Sequence, residues 1–381
     1  MMHNVGEYTK CANCGACLNT CPVNAISVND KDFFYQIEVD NEKCINCGAC
    51  VKVCPVNSEL PEMHITNAYG GYHNDERIVR KSSSGGAFYA IAQATLDKGG
   101  IVFGAAYSED YHSVVFRNTD EVSIEYLLRS KYVESSVGFA FRQIREELKK
   151  GREVLFCGTP CQVAGLKRYV GNEPNLYTCD FSCGGLPSHR IFDDYLKVQE
   201  NRFGAEVSGV NFRPKLYGWK IHGIAMQFQN KKQYRSLAED DPYFSSFVHQ
   251  RTINRDYCYE CDFADHHAAD VILADFWLYD KVSDLDNRDE GLSLLLINSE
   301  KGRELIERIS GSFYLKEVDT DKASYNIKSG HVRNEVVEKH NRFMEHVAEE
   351  GFIEAYRKCY RVGWLRGIKL RMKACLKTRR G

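Results

Sequence analysis

Two runs of cysteines in the first sixty residues have the spacing of metal ligands. The run CANCGACLNTCP ends with Cys21 before a proline, and CINCGACVKVCP repeats it with Cys54 before a proline. In each run three thiolates two residues apart can bind three corners of a cubane, and Gly15 or Gly48 lets the backbone turn tightly around it. The two runs therefore predict two 4Fe-4S clusters.

The fourth ligand of each predicted cluster comes from the other run, because the last cysteine of a run binds the second cluster in two-cluster ferredoxins. The first predicted ligand set is Cys11, Cys14, Cys17 and Cys54, and the second is Cys44, Cys47, Cys50 and Cys21. A pair of zinc knuckles is the alternative. Zinc sites use paired Cys-x-x-Cys spacing rather than a triple run before proline, so we favour iron and sulfur.

Six further cysteines lie in the middle of the chain, at Cys157, Cys161, Cys179, Cys183, Cys258 and Cys261. The pair Cys258 and Cys261, two residues apart in a polar loop, chelates one metal site readily and needs two partners from elsewhere. Cys157 and Cys161 flank a Gly-Thr-Pro turn at the end of an apolar stretch, EVLFCGTPC. The carboxyl end of a strand is where α/β sheets usually bind ligands.

Composition limits the classes of function. The chain has 381 residues with 50 Lys and Arg against 52 Asp and Glu, which does not favour a nucleic-acid partner. No apolar run approaches the ~20 residues of a bilayer span, and the N-terminus lacks the layout of a signal peptide. We therefore expect a cytoplasmic protein, where sixteen cysteines indicate metal binding or catalysis rather than disulfides.

The cysteine runs and the hydrophobic pattern together predict an α+β ferredoxin-like domain followed by a larger α/β domain. A hairpin is expected in ISVNDKDFFYQIEVDNEK, and a polar, Gly-rich stretch places the first boundary near residue 62. A Ser-Gly turn then precedes a predicted helix through Leu96 and a strand at 101–107. A second helix over 137–150 leads into a strand at 154–156.

Seven motifs, in order along residues 80–340, together resemble the beta subunits of coenzyme F420-reducing hydrogenases and dehydrogenases. They are SSSGGAF, SKYVESS, VLFCGTPCQVAGLKRY, CGGLPS, VNFRPKLYGWK, CYECDFADHHAADVILADFW and EGLSLLLINSEKG. The resemblance implies a flavin-binding domain over 63–354 with FAD and a third 4Fe-4S cluster. It also implies hydride exchange with an organic acceptor such as F420, or with a biosynthetic intermediate, since related chains occur in polysaccharide gene clusters.

The resemblance implies residues for both cofactors. The ligands of the third cluster would be Cys161, Cys183, Cys258 and Cys261, and the flavin contacts would be Ser83, Ser84, Gly85, Gly86, Lys131 and Tyr132. Cys157 and Cys179 would then be small buried apolar residues. Spacing alone leaves a structural zinc open at the third site. The Ser-Gly turn can also be only a helix cap, and Lys131 an ordinary surface lysine.

Partners and surroundings follow from the same features. An electron-donating or electron-accepting protein, either a ferredoxin or another oxidoreductase subunit, is expected for the clusters. Residues 355–381 contain ten Lys or Arg on an amphipathic pattern, which suits an anionic membrane surface, an acidic partner or packing on the chain itself. His266 and His267, in a polar loop, are expected to be solvated.

Overall fold

The computed structural model describes residues 4–7, 10–121, 124–216, 218–285, 289–327 and 334–360. The strands are β1 (Ile26–Asn29), β2 (Gln36–Val39), β3 (Asn67–His73), β4 (Ile101–Tyr107), β5 (Val114–Thr119), β6 (Ser135–Ser136), β7 (Val154–Cys157), β8 (Leu176–Phe181), β9 (Val207–Phe212), β10 (Gly223–Phe228), β11 (Gln233–Leu237), β12 (Val271–Asp275), β13 (Ser293–Ile297) and β14 (Phe313–Val318). The helices are α1 (Ala16–Thr20), α2 (Ala49–Val53), α3 (Glu76–Lys81), α4 (Ala87–Leu96), α5 (Ala140–Lys149), α6 (Pro160–Val170), α7 (His189–Phe203), α8 (Pro242–Ser245), α9 (Tyr279–Val282), α10 (Glu300–Ile309), α11 (Thr320–Ser324), α12 (Asn334–Glu350) and α13 (Phe352–Cys359).

The N-terminal unit consists of α1, α2 and the antiparallel hairpin of β1 and β2. Gly15 and Gly48 adopt φ of 78° and 71° directly before the two helices, a conformation that glycine adopts without steric cost. Each helix carries the third cysteine of its run and ends before the fourth. The predicted hairpin and tight turns are confirmed.

A nine-stranded mixed sheet forms the centre of the larger part, in the order β14-β3-β13-β12-β8-β7-β4-β5-β6. Strands β12, β8, β7 and β4 run parallel, and the outer strands are largely antiparallel. Helices α4 and α10 pack on one face around Ile91 and Leu305, and α5 and α6 pack on the other around Phe141 and Val163. The α/β layers predicted for this region are confirmed.

The N-terminal unit packs on the layer of α5 and α6. Cys14, Ala16 and Val53 belong to the same apolar cluster as Phe141 and Leu166. Because these side chains share one buried cluster, the cysteine runs are positioned by the large domain as well as by their own turns.

A separate three-stranded sheet, β11-β10-β9, packs with α7, α8, α12 and α13 around Phe192, Phe212 and Phe244. The hydrophobic pattern did not predict this sheet. Helix α13 runs across the predicted boundary at 354, with Ala355 and Tyr356 buried in this cluster. Residues 361–381, with most of the predicted basic stripe, lie outside the described residues, so the membrane-binding tail stays a prediction. No helix within the described ranges is long and apolar enough to cross a bilayer.

Candidate metal and flavin centres

The four cysteines predicted for the second cluster line one cavity at the outer edge of the N-terminal unit. These residues are Cys21, Cys44, Cys47 and Cys50. Cys21 comes from the first run and the other three from the second, as the crossed ligand pattern requires. Cys47 is exposed and Cys50 is buried, so this set, which we call the distal set, lies between solvent and the interior.

The cysteines predicted for the first cluster, the proximal set, lie deeper. Burial raises the pKa of Cys14, and the charges of Cys17 and Cys54 raise it further. Burial likewise raises the pKa of Cys17, with additional contributions from Cys11 and Cys54 and a weaker one from Cys50 of the distal set. The structure thus brings the four proximal cysteines together and places the distal set beside them.

The remaining four predicted ligands, the third set, converge from three separate segments. Cys161 lies in the first turn of α6, Cys183 follows β8, and Cys258 and Cys261 lie in the loop before β12. Burial raises the pKa of Cys161, and the charges of Cys261 and Cys183 raise it further. Burial raises the pKa of Cys258, and the other three thiols of the set add to that rise.

Helix α6 joins the proximal and third sets. Its first turn carries Cys161, whose Sγ lies 3.6 Å from the carbonyl oxygen of Ala12. One turn later, a Cβ on Gly165 would lie 2.9 Å from the Sγ of Cys14, so only glycine permits this close packing. The charge of Cys161 also contributes to the raised pKa of Cys14. The two sets therefore face each other across about one helical turn.

Cys157 and Cys179 lie opposite each other on the parallel strands β7 and β8, in the apolar cluster beneath α4. Burial raises the pKa of Cys157 to about 12, with a contribution from Asp180, while Lys131 opposes the rise. Cys179 is fully buried in this cluster, whereas Cys157 is only partly buried and has charged neighbours. The role of Cys157 as a neighbour of the ligand Cys161 stays a prediction.

The predicted flavin loop, Ser83 to Gly86, precedes α4 and is bound to the sheet. The hydroxyl of Ser84 donates to the carbonyl of Leu292, and the amide of Gly85 donates to the hydroxyl of Ser293. A Cβ on Gly85 would lie 2.5 Å from the carbonyl oxygen of Gly71. Close packing within the chain thus already requires a glycine at position 85, whatever the loop binds.

Cationic side chains gather around this loop. Lys215 donates to the carbonyls of Val79 and Ser84, at 2.6 and 2.7 Å. Burial, together with Arg213, lowers the pKa of Lys215 to about 7. The amide of Ser130 donates to the hydroxyl of Ser83 at 2.8 Å, which holds the SKY motif against the loop.

Lys131 and Tyr132, the two flavin contacts predicted in the SKY motif, lie in different surroundings. Lys131 donates to the carbonyl of Leu128, and burial, with Arg129, lowers its pKa to about 7. Its environment is therefore not that of an ordinary surface lysine. The ring of Tyr132 packs between Phe244 and Phe247, with centroids 5.4 and 5.0 Å away. Tyr132 is thus held mainly as part of the aromatic core.

Two partly exposed aromatic rings stand at the carboxyl ends of the parallel strands. Phe181 ends β8, and Trp277 follows the end of β12. Trp277 stacks on Trp219 at 4.5 Å, and the guanidinium of Arg213 lies 5.2 Å from its ring. The guanidinium of Arg213 is also paired with Asp275, so the exposed ring of Trp277 can bind a flat molecule mainly by stacking.

The expectation of two solvated histidines is wrong for His267. This side chain is fully buried and its Nδ1 lies 2.9 Å from Asp180 Oδ1. Burial raises the pKa of the Asp180 carboxyl, and the neighbouring His267 opposes that rise. The polar residues around His267 in the sequence did not indicate that this loop packs against the end of β8.

Sequence reasoning missed the charged groups that surround these centres. Arg213 and Lys215 lie in the quoted motif VNFRPKLYGWK, so their motif was a usable signal. Glu134 and Arg255 form a fully buried ion pair, with Arg255 Nε donating to Glu134 Oε1 at 2.6 Å. No pattern in the sequence pairs two residues 121 positions apart.

The fold and the grouped cysteines define a class, an iron-sulfur electron-transfer protein built on a mixed α/β domain. Residues 10–58 match the family model described as 4Fe-4S dicluster domain. Residues 151–323 match the model that describes the C terminus of the beta subunit of coenzyme F420 hydrogenase/dehydrogenase. The predicted family and its N-terminal two-cluster unit are confirmed.

Comparison with solved structures finds a chain from the xenon-derivatised F420-reducing [NiFe] hydrogenase complex of Methanosarcina barkeri. It is 14% identical, and the match covers 76% of this chain and 94% of that chain with a TM-score of 0.47. Comparison with curated proteins found no match.

Proposed function

We propose that this chain is an iron-sulfur flavoprotein oxidoreductase that exchanges electrons between three 4Fe-4S clusters and FAD. The acceptor or donor of hydride is an organic molecule such as coenzyme F420 or a biosynthetic intermediate, including one of a polysaccharide pathway. The observation that carries the proposal is the convergence of the third set beside Cys14. A third centre next to a two-cluster unit extends a path for electrons into the large domain.

The spacing of the sulfur atoms supports clusters over zinc at the third set. A tetrahedral zinc with Zn–S bonds of about 2.3 Å holds its sulfurs about 3.8 Å apart. Among the described residues, no three cysteine Sγ atoms lie within 4.8 Å of one another. A cubane keeps its thiolates farther apart, because each binds a different iron.

The positions of the three cysteine sets support an order in which electrons would pass through them. Cys47 of the distal set is exposed, and its neighbour Ile45 is 61% exposed. The proximal set, in which Cys14 and Cys17 are buried, lies behind it, and the third set lies beyond the proximal set across α6. A one-electron partner protein would therefore dock at the distal edge, and electrons would pass through the proximal set to the third set.

The cations around Ser83 to Gly86 support FAD. Bound clusters would supply one-electron steps and FAD would supply two-electron hydride chemistry. Arg129 and Lys215 would hold the negatively charged part of the cofactor at the start of α4, where helix amides also favour anions, and Lys131 would lie near the ring. Lys131 lies close enough to Cys157 for their charges to interact, which supports a ring position near the carboxyl end of β7.

An alternative function is that of an electron-transfer subunit whose catalytic partner carries out the chemistry. The matched family is described as a beta subunit, which favours this alternative. The two functions differ in what the isolated chain can do. Turnover of F420 or another organic acceptor by the purified chain supports the first, and stoichiometric co-purification with a partner that alone restores turnover supports the second.

The cofactor content tests the proposal directly. Twelve ligand cysteines at four per cluster predict about twelve irons and about one FAD per chain. Anaerobic purification with iron, acid-labile sulfide, zinc and flavin assays measures this content. About eight irons with one zinc would contradict the third cluster, and the lack of FAD in protein reconstituted with FAD would contradict the flavoprotein function.

The affinity for FAD is expected to fall as the pH rises above about 7. Lys131 and Lys215, whose pKa values are lowered to about 7, lose their charge there, and an anion binds the protonated form more tightly. Between pH 6.5 and 8.5 we expect a loss of about tenfold. Fluorescence titration of flavin-depleted protein measures this change in affinity.

Lys131→Arg and Lys215→Arg should reduce the dependence of FAD affinity on pH, and the exposed Lys149→Arg should leave that dependence unchanged. An affinity independent of pH would contradict this role.

A further inference from the structure

Three arginines of the large domain donate hydrogen bonds to backbone carbonyls of the two-cluster unit. They are Arg142 on α5, Arg168 on α6 and Arg255 in the loop that carries Cys258. Each reaches a carbonyl at or near a different predicted cluster ligand. Charge and hydrogen bonding near the sulfurs are the main means by which a protein sets the reduction potential of a cluster.

Arg142 binds the end of α1. Its Nε donates to the carbonyl of Asn19 at 2.9 Å, and its Nη2 donates to the carbonyls of Leu18 and Cys21, both at 3.2 Å. A cation is favourable at a helix C-terminus. Because Cys21 belongs to the distal set, the guanidinium of Arg142 lies beside the predicted distal cluster.

Arg255 lies between the other two sets. Its Nη1 donates to the carbonyl of Cys11 at 3.5 Å, and its own carbonyl accepts the amide of Cys258 at 2.9 Å. Burial alone would lower the pKa of Arg255, but the charges of Glu134, Cys11 and Cys258 outweigh it and raise the pKa. Its positive charge is thus shared by the proximal and third sets, while Glu134 binds the Nε on the other side.

Arg168 provides a contrast on the same surface. Its Nη2 donates to the carbonyl of Lys52 at 2.6 Å, and its charge opposes the raised pKa of Cys54. Unlike the buried Arg255, this side chain is exposed. Water and salt therefore screen its charge, and its influence on a neighbouring cluster is weaker.

We propose that the positive charges of Arg142 and Arg255 raise the reduction potentials of the clusters beside them. Arg142 acts on the distal cluster, and Arg255 acts on the proximal and third clusters. The physical reason is that reduction adds negative charge to a cluster, and a cation fixed beside it by hydrogen bonds stabilises that charge. The stabilisation is stronger at the buried Arg255 than at Arg142, which is only partly buried. The inference rests on the cluster assignments of the proposed function.

The test is an anaerobic redox titration followed by low-temperature EPR on the full chain. In Arg142→Gln, we expect the ratio of reduced to oxidised distal cluster at a fixed potential to fall about tenfold, which is about 59 mV for a one-electron couple. Arg142→Lys should keep the distal potential close to the wild-type value, because it retains the positive charge. Arg168→Gln should change the potentials far less.

Arg255 needs a paired variant, because its removal alone would leave Glu134 buried without a cation. Arg255→Met combined with Glu134→Gln removes both charges. Because Arg255 donates to the carbonyl of Cys11 and its charge interacts with Cys11 and Cys258, we expect the proximal and third signals to move to lower potential while the distal signal stays.

Two outcomes separate this inference from the proposed function. Full iron content with unchanged potentials in Arg142→Gln and in the paired variant overturns the inference and leaves the function intact. A wild-type chain with only about eight irons contradicts the third cluster, yet the distal potential in Arg142→Gln still decides the role of Arg142.

Discussion

Cys161→Ser lowers the iron content from about twelve to about eight atoms per chain, which is the largest expected effect on the cofactors. The substitution replaces a soft thiolate by a poorer donor in a site that four cysteines must complete together. The proximal and distal clusters persist, because their ligands lie in the N-terminal runs. Iron assay and EPR of the reduced protein measure the loss.

Cys157→Ser is the matched control, four residues earlier in the same motif. It places a hydroxyl in the apolar cluster at the end of β7, which costs about 1 to 3 kcal/mol if the hydroxyl finds no partner. The iron content stays at about twelve. The assignment of Cys161 is wrong if Cys157→Ser loses about four irons while Cys161→Ser retains all of them.

Glu134→Ala has the largest expected effect on stability, about 3 to 5 kcal/mol of unfolding free energy. Glu134 is fully buried and accepts hydrogen bonds from Arg255 Nε, from Asn13 Nδ2 at 3.1 Å and from the amide of Tyr35 at 3.1 Å. Removing it leaves the Arg255 charge buried without its partner. Anaerobic guanidinium unfolding, followed by near-UV circular dichroism and visible absorbance, should show a much lower midpoint.

The same experiment distinguishes a buried pair from a surface pair. Glu146 and Lys149 form an exposed ion pair at 2.8 Å on α5, and Glu146→Ala should leave the midpoint unchanged. Asn13 and Tyr35 belong to the two-cluster unit, so Glu134→Ala should also expose the segment near residue 62 to limited proteolysis. Equal midpoints for the two variants would contradict the role of Glu134 in holding the two units together.

The sequence alone identified what depends on short-range spacing. The two cysteine runs predict a two-cluster unit because a cubane needs thiolates a few residues apart on a tight turn. Strand β4 and helix α4 have the bounds that their apolar pattern predicted, since β4 is buried on both faces of the sheet and α4 buries one side against it. The family resemblance followed from motifs in sequential order, and it implied the third set before the structure placed its members together.

Tertiary structure alone decided how the centres are joined. Gly165 meets Cys14 across 151 positions of chain, and Arg255 meets Glu134 across 121, because packing of α6 and the loop before β12 brings them together. The sheet β11-β10-β9 and the burial of His267 also escaped prediction. A short stretch of sequence shows which side chains can bind iron or form a strand. The partner of a buried charge depends on contacts between residues far apart in the sequence, which no local pattern predicts.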